Sequence, residues 1–177
     1  TSRGIDLGNS RVILISTAGA YYPGKHNFFS SAHPLGDYTI RQIPSSIAPE
    51  DLTLSHPDLD RDWATLDPQA ILPLRLLSQM VKEGKIGSLA PVFISYCGFQ
   101  PHAIRIVKEL VPSILKAVKQ YNAHAALIIP TGQLSIPSAG LIARALEVNY
   151  IATTMTCWDA DQARPVSYTH LRAHETK

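Results

Sequence analysis

The chain has 177 residues, 45% of them hydrophobic and 17% charged, which suits a globular domain with a real core and excludes a disordered polypeptide. A formal charge of +2, with no Lys/Arg cluster to concentrate it, excludes the electrostatic footprint of a nucleic-acid binder. No run of about 18 apolar residues is present to span a membrane, and two cysteines, Cys97 and Cys157, cannot build a disulfide framework. A reducing compartment follows from that cysteine usage, and residues 1–11 carry no apolar signal core, so a cytoplasmic location is expected.

Residues 11–17 are a short β-branched run ended by Ala18-Gly19, which predicts a buried parallel strand and a loop. Residues 20–55 are rich in Pro, Gly, Ser and His and predict a long functional loop with a strand at 38–43. Asp67-Pro68 reads as an N-cap followed by Pro at the first helical position. The helix core is expected between Leu74 and Glu83, with Leu74, Leu77 and Val81 on one face and Gly84 as its stop. A second strand is predicted at 91–96. A long helix at 101–121 follows, with Ile104, Val107, Val111, Leu115 and Val118 as its buried stripe and a kink at Pro112. A third strand at 123–129, a helix at 138–148 and a fourth strand at 150–154 complete the pattern.

Apolar strands alternating with helices predict an α/β fold: a parallel sheet with helices on both faces, a Rossmann-like or flavodoxin-like three-layer arrangement. Right-handed crossovers bring the loops that follow the strands to one edge, where open α/β sheets bind ligands. One domain is expected over residues 1–165. Residues 166–177 break the pattern, and Val166 to Thr176 read as one translated frame of a common transposase sequencing adapter. That tail is excluded from fold reasoning. The native sequence is expected to stop near Pro165 with a C-terminal portion missing, and Tyr168 and Leu171 are expected to stay out of the core.

Five blocks carry a family likeness. They are Thr17-Ala-Gly-Ala-Tyr-Tyr-Pro-Gly24, Ser55-His-Pro-Asp-Leu-Asp-Arg-Asp62, Leu72-Pro-Leu-Arg-Leu76, Gly84-Lys-Ile-Gly-Ser-Leu-Ala-Pro91 and Gly140-Leu-Ile-Ala-Arg-Ala-Leu146. In that order they resemble the glycine/sarcosine/betaine and D-proline reductase selenoprotein B family, over roughly residues 11–157. The resemblance implies reductive cleavage of the C–N bond of a small amino acid or amine substrate, with a dithiol as electron donor. It implies a pyruvoyl-bearing partner subunit that holds the amine, and a thiol or selenol motif, Pro-x-Cys-x-x-Cys, ahead of the Gly-Leu-x-Ala-Arg helix. Counting back from Gly140, those cysteine positions fall on Gly132 and Ser135, so the redox motif is expected to be lost. A non-catalytic binding or scaffold subunit of the same fold is the alternative.

His56, flanked by Asp58, Asp60 and Asp62, suits general acid–base work, because a carboxylate orients the ring and raises its pKa. A metal reading lacks a second ligand, and a loop braced by Asx-turns accounts for the same residues. His56 and Asp60 are therefore catalytic candidates, with Cys97 as a substitute nucleophile if its pKa is lowered. Cys97 also fits a small buried hydrophobe. Thr131, Gly132 and Ser135 form a polar loop ahead of a helix, able to bind a carboxylate through peptide N–H groups and the dipole. Cys157 joins this substrate-binding set from the fourth strand. No Gly-x-Gly-x-x-Gly, Walker, zinc or Gly-x-Ser-x-Gly spacing occurs, and no cofactor or metal is expected of this chain.

Overall fold

The computed structural model describes residues 5–31, 33–55 and 68–156. Within them lie β1 (Arg11–Ser16), β2 (Ala20–Tyr21), β3 (Arg41–Pro44), β4 (Thr53–Leu54), α1 (Leu74–Lys82), β5 (Ser88–Leu89) and β6 (Val92–Ser95). The chain continues through α2 (Ala103–Arg105), a π-helical segment (Ile106–Leu110), α3 (Val111–Gln120), β7 (Ala125–Ile129), α4 (Ile136–Val148) and β8 (Ala152–Met155). The Asp67 N-cap, the Ser55–Asp62 block beyond Ser55, and the tail at 166–177 lie outside the described residues. Among the described residues no helix is long and apolar enough to cross a membrane.

The main sheet has the order β3-β6-β1-β7-β8, with β5 beside β1. The predicted strands at 11–17, 91–96, 123–129 and 150–154 are β1, β6, β7 and β8, and they run parallel. Their order, second-first-third-fourth, is the flavodoxin type, which selects between the two expected arrangements. One strand departs from the all-parallel expectation. Residues 41–44 form β3, antiparallel to β6 with Ile43 opposite Phe93. This edge strand reaches the sheet by a loop, and without a crossover helix nothing imposes a parallel approach.

The period of two along each strand sends alternate side chains to opposite faces. Ile13, Ile15, Ile94, Tyr96, Ala126 and Ile128 pack with α3 and α4. Val12, Leu14, Phe93, Ala125 and Ile129 pack with Leu72, Leu74 and Leu77 of the α1 side. Helices thus cover both faces, as expected.

The 101–121 helix differs in detail. Ile104 and Val107, expected in the buried stripe, are exposed at 69% and 52%, whereas Ile106, Leu110, Ile114 and Ala117 are buried. Val111 and Val118 are buried as expected. The cause is Pro112, which has no N–H and whose ring crowds the carbonyl four residues earlier. The π turn over 106–110 relieves that conflict, and the sheet takes the neighbouring apolar stripe. At the start of α1, Pro68 opens only a 3-10 turn. The Gln69 side-chain carbonyl then accepts the Arg75 and Leu76 N–H groups, serving as a remote cap for a helix that begins at Leu74. Its other end is as predicted, with Gly84 at φ 69 closing the helix through its N–H to the Val81 carbonyl.

Candidate functional site

The carboxyl edge of the parallel strands gathers Thr17 after β1, Gly98 after β6, and Thr131 and Gly132 after β7. The strand order reverses between β1 and β7, and Thr17 and Thr131 meet there. Their hydroxyl oxygens lie 2.9 Å apart, and the Thr131 N–H donates to the Thr17 hydroxyl at 2.8 Å. Two hydroxyls sharing one hydrogen bond leave one proton for a third partner. Thr17 is held by its backbone as well, donating to the Ile129 carbonyl and accepting from the Gly98 N–H.

Gly98 is the hinge of this cluster. A Cβ there would sit 2.4 Å from the Ser135 Cβ and 2.8 Å from the Thr17 Cβ, so only glycine lets the three loops meet. Its carbonyl accepts from the Ser138 hydroxyl at 2.8 Å. That hydroxyl also lies 3.2 Å from the Tyr96 hydroxyl. Burial pushes the Tyr96 phenol pKa up; the Ser138 hydrogen bond opposes this weakly and the neighbouring Cys97 adds to it. Tyr96 is therefore a neutral phenol anchoring α4 to β6.

Ser135 lies in the 3-10 turn Gln133–Ser135 that leads into α4. Its hydroxyl donates to the Gly132 carbonyl at 2.7 Å and accepts from the Gly132 N–H at 3.2 Å. The two positions where the resemblance places thiols are thus closed on each other by a serine that is itself fully buried. Gly132 has an extended backbone that any residue adopts. Cys97 is buried at 1%, paired with Ala18 in an isolated bridge, and its carbonyl accepts from the Gln100 side chain.

Of the predicted site residues, the structure brings Thr131, Gly132 and Ser135 into one cluster, with the Cys97–Gly98 backbone against it. His56, Asp60 and Cys157 lie outside the described residues. Their described neighbours attach at this edge. The Ser55 N–H donates to the Gly19 carbonyl, the Ser16 hydroxyl to the Ile71 carbonyl, and the Thr156 N–H to the Ile128 carbonyl. Thr17, Gly98 and Ser138 went unnoticed as site residues. The available signal was a small residue after each strand, Thr17-Ala-Gly, Cys-Gly98 and Thr131-Gly132.

Beside the cluster, the loop from β2 to β3 frames a cavity of about 610 Å³ lined by Tyr21, Phe28, Phe29, Ser30, His33 and Ser55. Arg41 stacks over the Phe29 ring at 4.2 Å. Burial would raise the Asp37 carboxyl, but hydrogen bonds from Thr39 and the Ser30 N–H, with Arg41 nearby, outweigh it and hold the pKa below the usual carboxylate value. His26 is held below the ordinary imidazole value by burial, then by the Arg41 charge. Among the described residues no group of three His, Cys, Asp or Glu side chains is placed to hold a metal.

Fold and edge together define an α/β protein whose strand reversal brings together two threonine hydroxyls and a helix start. Over residues 5–131 the chain matches the sequence profile of the glycine/sarcosine/betaine reductase selenoprotein B family, and it belongs to that family. The matched stretch includes Thr17, Gly98 and Thr131 and ends one residue before Gly132. The chain is 26% identical over 148 residues to D-proline reductase subunit gamma of Acetoanaerobium sticklandii, covering 84% of this chain and 60% of that protein. It is 36% identical over 95 residues to sarcosine reductase complex component B subunit beta of Peptoclostridium acidaminophilum, covering 52% of this chain and 22% of the relative. Against glycine reductase complex component B subunit gamma of Symbiobacterium thermophilum, identity is 23% over 128 residues, covering 71% and 29%. The chain therefore spans less than two thirds of these relatives. No solved structure matches it.

Proposed function

We propose that this chain is a subunit of a complex that reductively cleaves the C–N bond of a small amino acid or related amine. In this reading it binds the substrate at the carboxyl edge and works beside a pyruvoyl-bearing partner subunit. The observation that carries the proposal is the Thr17–Thr131 pair at the strand reversal, where open α/β sheets receive ligands. There the Thr17–Thr131 pair has a hydroxyl proton to donate, and the turn Gln133–Ser135 presents backbone N–H groups at a helix start. Both suit a carboxylate, assisted by the positive end of the α4 dipole. Glycine, sarcosine and D-proline, after which those relatives are named, each carry one.

In the same proposal His56 and Asp60 act as an acid–base pair, with Cys157 at the rim. Their support is that Ser55 and Thr156, the residues before His56 and Cys157, are hydrogen-bonded at this edge. The thiol or selenol that attacks carbon in the family reaction is assigned elsewhere than to positions 132 and 135. One observation favours the alternative of a non-catalytic binding subunit: Ser135 and Cys97, the edge side chains closest in chemistry to a thiol nucleophile, are both buried.

The binding half of the proposal is tested by titrating glycine, sarcosine and D-proline into the isotopically labelled full-length protein and following amide resonances. Shifts should concentrate at Thr131, Gly132 and Gln133, and Thr131→Val should weaken binding. Binding that leaves those amides unmoved, or no binding of any of the three, would refute the strand reversal as the substrate site.

A further inference from the structure

The loop from β2 to β3 is held largely by side chains, and His26, His33 and Asp37 are ties whose charge changes with pH. At its start the turn 22–26 closes twice. The Lys25 and His26 N–H groups donate to the Tyr22 carbonyl at 3.2 and 3.0 Å, and the Tyr22 N–H donates back to Nδ1 of His26 at 3.4 Å. A ring nitrogen that accepts an N–H carries no proton, so the neutral ring holds its proton on Nε2. His26 also contacts the backbone of Gln42, which joins the turn to β3. Arg41 of the same strand donates to the Asn27 and Phe28 carbonyls at 3.0 and 3.4 Å. Turn and strand together thus place Phe28 in the wall of the cavity.

A proton on Nδ1 removes the acceptor that the Tyr22 N–H uses and makes the ring a cation. The charges that act on this ring are Arg41 from β3 and Lys25 from its own turn, both positive. Lys25 stays close, its ammonium 5.1 Å from the Tyr22 ring centre. Asp37, the carboxylate nearest in the loop's own network, accepts from the Ser30 and Thr39 N–H groups and faces Arg41. Burial first, then the Arg41 charge, hold the imidazole below its ordinary pKa; the Gln42 contact opposes them and Lys25 adds to them.

The other end of the loop has further ties. Nδ1 of His33 accepts the Leu35 N–H at 3.2 Å, but the His33 and Gly36 N–H groups close the same turn through backbone carbonyls. Arg105 donates to the Leu35 carbonyl at 2.9 Å and Gln100 to the Asp37 carbonyl at 2.5 Å.

We propose that His26 is a proton-operated latch on the aromatic wall of this cavity. Neutral, it ties the 22–26 turn to β3 and keeps Phe28 in the wall. Protonated, it drops the Tyr22 N–H, is repelled by Arg41 and Lys25, and releases residues 22–28, while residues 33–38 stay fixed and Phe29 stays buried. The released loop takes up a proton that the latched loop excludes. The wall is therefore latched above the ordinary imidazole value of about 6.5 and loosens as pH falls through the lowered one. The latch stands on the loop's own bonds and is independent of the reductase reading.

The test is an NMR titration of the isotopically labelled full-length protein from about pH 8 to about pH 5. At the alkaline end the ring-nitrogen shifts of His26 should show a proton on Nε2 alone. Protection of the Tyr22, Lys25 and His26 amides, corrected for intrinsic exchange, should fall on the acid side by up to about tenfold per pH unit, the slope for one proton. Protection of Gly36 should not follow it. His26→Asn puts an amide oxygen, which accepts but does not titrate, in place of Nδ1 and should abolish the fall. His124→Asn is the control, because Nδ1 of His124 accepts the Arg11 N–H at the start of β1, and it should leave the loop's response as in the wild type. A response that survives His26→Asn, a proton on Nδ1 at the alkaline end, or Tyr22 protection that is absent or constant across the range overturns the latch. If His26→Asn lowers the melting temperature, the wild-type titration decides alone. The His26 ring and the Tyr22 amide must then change with one shared midpoint, and separate midpoints overturn the proposal.

Discussion

Two parts of the carboxyl edge are built on opposite principles. Around Thr17, Gly98, Ser135 and Ser138, backbone and hydroxyl groups are paired, side chains are buried, and there is no room for an added methyl group. Around Tyr21, Phe28 and His33, a loop held by Arg41 and Asp37 frames an open cavity, and Phe28 is largely exposed. The first part fixes geometry, and the second leaves open space at the edge. A loop built as tightly as the first part would close the edge, and a cluster built as loosely as the second would not hold two threonines in register.

The largest effect that separates the two parts is expected at Gly98. Gly98→Ala forces a Cβ against Ser135 and Thr17 and should destabilise by about 1–3 kcal/mol or more in denaturant unfolding. Phe28→Ala, a far larger change of side chain, should stay within about 0.5 kcal/mol. Equal costs at the two positions would erase the distinction. Thr17→Val comes next. It strands the Thr131 N–H and hydroxyl with no acceptor and should cost about 1–3 kcal/mol.

The smallest effect belongs to the loop. The Asp37 carboxyl is held below its usual pKa, so its contribution to stability is complete above the unfolded-state pKa and is lost as pH falls through the folded one. Asp37→Asn should therefore flatten the acid side of the stability–pH curve and leave Gly98-region amide protection unchanged. An unaltered acid limb would show that the loop is not braced through Asp37.

The strands were legible because burial on both faces of a parallel sheet leaves uninterrupted apolar runs, as in Val12 to Ile15 and Ala125 to Ile129. The stripe of the 101–121 helix was misassigned because that segment offers two adjacent apolar stripes, and only the response to Pro112 chooses between them. β3 was partly visible, but its antiparallel sense depends on a loop path that local pattern does not encode. Gly132 and Ser135 were found by counting from a recognisable helix. The Thr17–Thr131 pair was not, since it joins residues 114 positions apart and no periodicity marks such a contact. The packing of Gly98 against two other loops likewise exists only in three dimensions.

The central proposal is that this chain works in a reductase complex yet supplies no thiol from positions 132 and 135. The direct test is amine or ring-opened product release from glycine, sarcosine, betaine and D-proline, with dithiothreitol as reductant and the full-length protein beside the proposed pyruvoyl-bearing subunit. The account predicts little turnover by the native chain, and a reactive dithiol once Gly132→Cys and Ser135→Cys are introduced together at the start of α4. Robust turnover by the unmodified chain, abolished by Cys97→Ala, would contradict it by locating the nucleophile in the buried strand-end cysteine.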